Sequence, residues 1–253
     1  MVITMDNTNL FDNKSDNYVS ARPSYAPALF DKLCEYGLNS EKIVADIGCG
    51  TGIFTRQLLK KGATVYGVEL NDEMREKAEN ALSNYDKFIS VNASAEATTL
   101  PNDSVDFITC AQSFHWFDKP KFKLEAKRIL RQNGVVALIW NMRDTSDKST
   151  IDLANLTAKH CENFKGFNGG TRITKEEINI FFDGKYDCFE FDNPLDYDLD
   201  KFIKRSLSSS YAPAETDASY QPYVADLKSF FAKYSQNNIY IMPNKSALYI
   251  GRV

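Results

Sequence analysis

The feature that most constrains the fold is a glycine-rich turn between an apolar run and a helical pattern. Residues 43–47 form an almost continuous apolar run, which is typical of a buried parallel strand. Gly48, Gly50 and Gly52 follow, and apolar residues at helical spacing begin at Ile53. Glycine suits such a turn because positive φ and close approach of a ligand both exclude a Cβ. The pattern predicts a strand, a turn and a helix, with a nucleotide-like ligand at the helix start.

The spacing of the glycines separates two kinds of nucleotide site. A dinucleotide fingerprint, G-x-G-x-x-G, would need glycine at position 53, where this chain has Ile53. The segment instead resembles the first motif of the class I S-adenosylmethionine-dependent methyltransferases. In that family the loop holds the amino-acid end of S-adenosylmethionine, and S-adenosylhomocysteine is the product. The residues to which the resemblance gives this role are Asp46, Gly48, Cys49, Gly50 and Gly52.

Composition narrows the possible partners. The 253 residues carry 30 basic and 34 acidic side chains, with no run of Lys and Arg dense enough to follow a phosphate backbone, which argues against nucleic acid. Five scattered cysteines without a C-x-x-C pair and only two histidines predict neither a metal site nor disulfides. The longest clean apolar run, residues 135–140, is far short of the roughly 20 residues that span a bilayer. We expect a cytoplasmic protein without membrane contact, monomeric or weakly dimeric.

An acidic residue follows the second predicted strand. Glu69 comes directly after residues 64–68 and 21 positions after Gly48, close to the offset at which α/β nucleotide folds place an acid for ribose hydroxyls. NAD enzymes share this feature, so it does not discriminate alone. The resemblance places Leu70 and Met74 against the adenine ring, although ordinary core packing explains Met74 equally well.

Two further loops follow predicted strands. The resemblance places Ser94, Ala95 and Glu96, after the strand at 88–91, along the adenine edge. The family commonly has Asp at the position of Ser94, and a serine would accept the adenine amino group more weakly. The strand from Val105 leads into Gln112 and His115 in an aromatic setting, a predicted floor for a methyl-transfer pocket. His115 is the candidate general base, or a residue that only shapes the pocket.

The N-terminal region carries a second resemblance. Tyr18 and Arg22 lie in a segment similar to the Tyr-x-x-x-Arg-Pro-x-Tyr-x-Pro signature of one small-molecule methyltransferase subgroup. There the Tyr closes over the cofactor and the Arg holds its carboxylate; the alternative is that both residues only anchor a helix start. With the Ser-Ser-Ser-Tyr-Ala-Pro segment at 208–213, the chain resembles the trans-aconitate-type enzymes, which implies O-methylation of a small carboxylate or hydroxyl compound.

The order of predicted elements indicates an α/β protein. By residue 141 five strands alternate with helices, which predicts a doubly wound parallel sheet, and the helix after Asp118 is predicted to end near Asn133. The resemblance implies a Rossmann-like sheet of seven strands in the order 3-2-1-4-5-7-6, with the last strand antiparallel. The apolar residues at 239–242 and 247–251 predict a pair of strands at the end of the chain. We expect a flexible tail at 1–17 and one methyltransferase domain at 18–253. That domain would have a cofactor-binding core at 38–141 and helical additions over the active site at 142–185 and 200–236.

Three other functions stay open at this point. An NAD(P)-binding oxidoreductase of the Rossmann type would bind a dinucleotide, which the early third glycine disfavours. A nucleic-acid methyltransferase would need a basic face, and an adenine N6 enzyme an Asn/Asp-Pro-Pro-Tyr/Phe segment where residues 111–114 read Ala-Gln-Ser-Phe. A non-catalytic regulator that binds S-adenosylmethionine would show the same binding motifs.

Overall fold

The structure is a computed structural model that describes residues 24–167 and 173–253. Its strands, in chain order, are β1 (Ile43–Ile47), β2 (Thr64–Val68), β3 (Phe88–Val91), β4 (Val105–Ala111), β5 (Leu130–Arg143), β6 (Tyr186–Asp192), β7 (Leu195–Tyr197), β8 (Tyr240–Met242) and β9 (Asn244–Gly251). Seven of them form one sheet in the order β3-β2-β1-β4-β5-β9-β6, with the last strand of the chain antiparallel. The predicted order is thus confirmed, with β9 in the place of the seventh strand.

Helices connect these strands. They are α1 (Pro27–Glu35), α2 (Ile53–Lys60), α3 (Asp72–Leu82), α4 (Lys119–Ile129), α5 (Lys148–His160), α6 (Lys175–Phe182), α7 (Leu199–Leu207) and α8 (Tyr220–Tyr234), with a short 3-10 helix at Phe114–Trp116. Local sequence sets several of the helix starts, because a side-chain oxygen satisfies a free backbone N–H there. Asn71 accepts from the N–H of Met74 at 2.9 Å, and Asp118 accepts from the N–H of Lys121 at 3.2 Å.

The centre of the sheet is parallel and positions the predicted loops along one edge. Strand β1 lies between β2 and β4, with Ile47 opposite Val68 and Asp46 opposite Thr109. All of β1 after Ile43 is buried, as expected for a central parallel strand covered on both faces. Carboxyl ends of parallel strands meet at one edge, so the residues after β1, β2 and β4 are brought together there.

One predicted helix end and one predicted strand pair are wrong. Helix α4 ends at Ile129 instead of near Asn133, because the N–H groups of Asp103 and Ser104 bond the carbonyls of Arg128 and Ile129, and the chain becomes extended at Leu130. The predicted pair of C-terminal strands does not form either. Only residue 243 separates β8 from β9, too few residues for a hairpin turn, and β8 pairs instead with β7 in a separate two-stranded sheet.

The described chain divides into two compact units. The first contains the described residues up to Trp140 together with Ile173–Glu190 and Ala247–Val253; the second contains residues 141–167 and 191–246. The second unit has its own apolar core, which includes Tyr197, Phe202, Tyr223, Leu227 and Tyr240. Across the part of the chain that the structure describes, no helix combines the length and the apolar character needed to cross a membrane.

Candidate active site

Asp46 is a buried carboxylate beneath the glycine turn. Its side chain is fully shielded from solvent, and its two oxygens accept hydrogen bonds from the hydroxyls of Thr55 at 2.6 Å and Thr109 at 2.8 Å. Burial raises the pKa of Asp46 to about 6, and the two threonine hydroxyls oppose that rise. The side chain therefore links β1, α2 and β4 internally, and its predicted contact with the cofactor stays a prediction.

Glycine is needed at the three positions of the turn for different physical reasons. All three have positive φ, at +66° for Gly48, +56° for Gly50 and +79° for Gly52. A Cβ on Gly48 would lie 2.6 Å from the Cβ of Ser113, and one on Gly52 would lie 2.7 Å from Cδ1 of Leu82, so packing also demands glycine at these two positions. A Cβ on Gly50 would meet only the sulfur of the Met74 side chain, at 3.9 Å. Gly50 thus borders open space, as expected where a ligand approaches the backbone.

Glu69 holds this turn against the end of β2. One carboxylate oxygen accepts from the N–H of Gly50 and the other from the N–H of Asn71, both at 2.9 Å. The carbonyl of Val68 completes the link by accepting from the N–H groups of Gly48 at 2.8 Å and Cys49 at 3.1 Å. Each carboxylate oxygen has two lone pairs, so each can still accept one hydroxyl from a ligand. The half-buried carboxylate is therefore fixed in place and able to accept two further hydrogen bonds.

Apolar side chains lie beside Glu69. Leu70 directly follows it and is 48% exposed, which is unusual for a large aliphatic residue next to a buried strand. Met74 lies one turn further along in α3 and is buried. The half-buried Cys49 has a thiol whose pKa burial raises well above its usual value, so it is a protonated, weakly polar neighbour and not a nucleophile. Together these residues give the edge an apolar flank suited to an aromatic base.

The loop after β3 is held by a buried glutamate that the sequence did not single out. Glu125 of α4 accepts from the backbone N–H of Thr98 at 2.7 Å and from its hydroxyl at 2.5 Å, and it pairs with Arg128 at 2.6 Å. Burial acts to raise the pKa of Glu125, but the bonds from Arg128 and Thr98 outweigh it and lower that pKa. The same loop carries Ala95, which is buried, and Ser94, which is half-buried.

A second contact fixes the other end of that loop. Glu96 accepts from the backbone N–H of Asp118 at 2.9 Å, at the start of α4. This bond ties the predicted adenine-edge segment to the loop after β4. The roles of Ser94, Ala95 and Glu96 in reading adenine stay predictions.

The loop after β4 contains both a strained residue and an aromatic cluster. Gln112 has φ +59°, which is uncommon for a residue other than glycine and is typical of functional turns. Ser113, which the sequence did not indicate either, donates to the carbonyl of Ile47 at 2.6 Å and so locks this loop against the glycine turn. Its partner is 66 positions away, and no local pattern reveals such a contact. The 3-10 helix that follows is anchored by Phe114, which is fully buried among Phe122, Phe181 and Trp140.

His115 and Trp116 form the surface of this loop. Their ring centroids are 4.9 Å apart, and Trp116 is 46% exposed while His115 is half-buried. The structure thus places His115 and Gln112 in the same loop after β4, which Ser113 holds next to the glycine turn. Tyr18 and Arg22 lie outside the described residues, so their predicted lid and clamp roles stay predictions.

These features suit a nucleoside with a cationic tail. Glu69 has free lone pairs for hydroxyl groups, Leu70 offers an apolar surface for a base, and Gly50 leaves space beside the turn. The two carboxylates, Asp46 and Glu69, favour positive charge near the turn, as a sulfonium and an ammonium group would provide. Among the described residues no cluster of His, Cys, Asp and Glu could hold a metal ion.

Comparisons with known proteins point in the same direction. Residues 45–138 match the family model described as a methyltransferase domain. An uncharacterized methyltransferase of Schizosaccharomyces pombe is 33% identical over 132 residues, which cover 51% of each chain. One of Mycobacterium bovis is 35% identical over 127 residues, which cover 50% of each. The chain thus spans about half the length of the curated relatives it matches.

Solved structures share the fold over most of the chain. A protein of Anaeromyxobacter dehalogenans assigned as a type II methyltransferase superposes with a TM-score of 0.63 at 20% identity and covers 91% of this chain and 97% of its own. These matches support a class I S-adenosylmethionine-dependent methyltransferase family for this chain. A further family structure, the SAM-dependent methyltransferase of Aquifex aeolicus, has a TM-score of 0.53 at 22% identity and covers 70% of this chain and 90% of its own. The segment that matches the methyltransferase model runs from within β1 to within β5 and includes the loops after β1, β2, β3 and β4.

Proposed function

We propose that this protein transfers the methyl group of S-adenosylmethionine to a small-molecule acceptor, at an oxygen of a carboxylate or hydroxyl. The observation that carries the proposal is the arrangement of Glu69 and the glycine turn: an acid with two spare acceptor positions, fixed by the N–H of Gly50, beside backbone that leaves room for a ligand. The family membership supports methyl transfer as the reaction. The resemblance to trans-aconitate-type enzymes supports oxygen as the methylated atom.

Each cofactor-binding role follows from the chemistry of the residue. Glu69 accepts the two ribose hydroxyls, and Leu70 and Met74 cover one face of adenine while Ser94 to Glu96 lie along its edge. The turn from Gly48 to Gly52 holds the amino-acid end, where Asp46 adds negative charge beneath it. Arg22 holds the carboxylate of the cofactor and Tyr18 covers it.

Methyl transfer needs alignment more than chemical assistance. When bound, S-adenosylmethionine supplies a methyl group on a positively charged sulfur, which leaves with the bonding electron pair as a neutral thioether. Holding the acceptor in line and excluding water contributes up to roughly 7–11 kcal/mol of barrier lowering in the best-oriented reactions. The exposed Trp116 and the loop from Gln112 to His115 form the wall that orients the acceptor next to the glycine turn.

The effect of replacing His115 should differ between the two acceptor classes. A hydroxyl must lose its proton as it is methylated, and an imidazole is suited to accept that proton near neutral pH. A carboxylate arrives deprotonated and needs no base. We expect His115→Gln to lower kcat for a hydroxyl acceptor by about 100-fold or more. For a carboxylate acceptor the loss of kcat should stay below about 10-fold, which is less than a general base normally contributes.

Binding and turnover test the proposal separately. Calorimetry with S-adenosylmethionine, S-adenosylhomocysteine and NADH should show heat of binding for the first two only. Glu69→Gln should weaken the binding of S-adenosylhomocysteine by about 10-fold or more, because each lost charge-assisted bond is worth about 1.5–3 kcal/mol. Transfer of tritiated methyl groups to a panel of carboxylates, phenols and amines should label an oxygen acid or alcohol. Heat with NADH alone, or labelling of amines alone, would contradict the proposal.

A further inference from the structure

The second unit contains a half-buried arginine, Arg143, which has no anionic partner among the described residues. Arg143 ends β5, and its guanidinium lies over the ring of Phe167, 3.8 Å from the centroid. Burial and repulsion from Arg205 together lower the pKa of Arg143 to about 10. No Asp or Glu of the described chain forms an ion pair with it. A partly buried positive charge therefore stacks on an aromatic ring without compensation from those residues.

A second donor lies beside this arginine. The N–H of Asp144 donates to the carbonyl of Pro243 at 3.2 Å, and the hydroxyl of Ser246 donates to the side chain of Asn141 at 2.5 Å. Along two antiparallel strands one residue number rises as the other falls, so residues opposite each other in one register have numbers with a constant sum. Both pairs here sum to 387. Arg143 and Asn244 have the same sum, so this register places them directly opposite each other. Side chains directly opposite on antiparallel strands share a face, with Cβ atoms about 4.5–5.5 Å apart.

Both side chains have a buried donor without an acceptor among the described residues. The Nη1 atom of Arg143 and the Nδ2 atom of Asn244 are shielded from solvent, and neither has a hydrogen-bond partner in that part of the chain. Asn244 is 7% exposed, so water does not replace the missing contact readily. Buried polar groups without partners are rare in folded proteins and call for a specific reason. Two donors on opposite residues, one of them cationic, suit an acceptor that carries negative charge.

Plain packing does not account for Arg143. An arginine that only stacks on an aromatic ring normally keeps its polar end in water or in contact with acceptors. Here the Nη1 atom is buried although the side chain as a whole is only half-buried. The ring of Phe164 contacts those of Phe167 and Tyr211, with centroids 5.1 and 4.9 Å away, and the three rings form an apolar wall beside the charge. This combination suits an anion attached to a planar or unsaturated body.

We propose that Arg143 and Asn244 bind the carboxylate of a small molecule with a planar or unsaturated body. The planar fork of an arginine matches the two oxygens of a carboxylate. Carboxylate binding by the second unit does not depend on the proposed function.

Cinnamate and its neutral amide, cinnamamide, test the site directly by calorimetry on the full chain. Wild-type protein should bind cinnamate at least tenfold more tightly than cinnamamide. Arg143→Gln and Asn244→Ala should each reduce this preference to less than threefold. Arg252→Gln is the matched control, because Arg252 is exposed, and it should leave the preference unchanged. Binding of S-adenosylhomocysteine should stay within threefold of wild type in all three variants, which shows that they are folded.

The outcomes separate the two proposals. If S-adenosylhomocysteine binds but cinnamate has no advantage over cinnamamide, or Arg143→Gln retains that advantage, the carboxylate site is overturned while the proposed function stands. If cinnamate is preferred through Arg143 but neither S-adenosylmethionine nor S-adenosylhomocysteine binds, the carboxylate site is supported and the proposed function is overturned.

Discussion

Replacing two glycines of the same turn by alanine should separate folding from ligand binding. Gly52→Ala places a Cβ 2.7 Å from Cδ1 of Leu82, a fully buried side chain, at a φ of +79°. The left-handed backbone costs about 1–2 kcal/mol for a residue with a Cβ, and forcing a methyl group into a packed core costs about 1–3 kcal/mol. Gly52→Ala should therefore lower the free energy of unfolding by about 2–5 kcal/mol.

Gly50→Ala should cost much less stability and more affinity. Its φ of +56° brings the same backbone cost of about 1–2 kcal/mol. The added methyl group would meet only the sulfur of Met74, at 3.9 Å, so no packing cost follows. It would, however, occupy the space proposed for the ligand. We expect S-adenosylhomocysteine to bind at least tenfold more weakly to Gly50→Ala, and nearly normally to the folded fraction of Gly52→Ala.

Urea unfolding and calorimetry measure the two effects independently. A double-mutant cycle adds a check, because Leu82→Ala removes the atoms that clash with the new Cβ on residue 52. The double variant should be more stable than the sum of the single effects predicts by about 1–3 kcal/mol. Equal destabilisation by the two glycine substitutions would refute this reasoning, as would loss of S-adenosylhomocysteine binding in Gly52→Ala alone.

Three further substitutions test other parts of the structure. Burial raises the pKa of Asp46 from 3.8 to about 6, so ionising it costs the folded state, and stability is lost as pH rises through that window. In urea titrations, the free energy of unfolding of Asp46→Asn minus that of wild type should rise by about 2–3 kcal/mol between pH 4 and 7. Glu125→Gln should lower the free energy of unfolding at pH 7 by about 1–3 kcal/mol and weaken the binding of S-adenosylhomocysteine, because the loop from Ser94 loses its charged anchor. Unchanged stability would show that Glu125 does not hold the loop. Arg143→Met should stabilise the ligand-free protein by about 1–3 kcal/mol, since it removes a buried donor without a partner; a less stable variant would mean that the guanidinium has a partner in solution.

The sequence predicts the centre of the sheet well because local patterns determine it. The apolar runs at β1 and β2, and the glycines between β1 and α2, indicate both the strands and the ligand edge. The positions of Glu69 and Gln112 at the ligand edge can be predicted in the same way, because parallel strands bring their carboxyl ends together. Such features depend on residues close in the chain, so they can be read without knowledge of the tertiary structure.

Features that depend on distant contacts were not predicted. Helix α4 ends at Ile129 because a turn some 25 residues earlier bonds its last carbonyls. Ser113 and Glu125 support the site through partners on other elements, and as single polar residues they resemble ordinary surface positions. The pairing of Arg143 with Asn244 depends on the register of β5 and β9, which no local signal sets.

The double hydrogen bond of Glu69 has a consequence for the energetics of ligand entry. Because the N–H groups of Gly50 and Asn71 already hold its carboxylate, the acceptor atoms are in position before any ligand arrives. A ligand that uses them loses little additional loop entropy on arrival. Amide hydrogen exchange at Gly50 and Asn71 should therefore already be slow in the empty protein and change little on saturation, so the turn behaves as a rigid receptor.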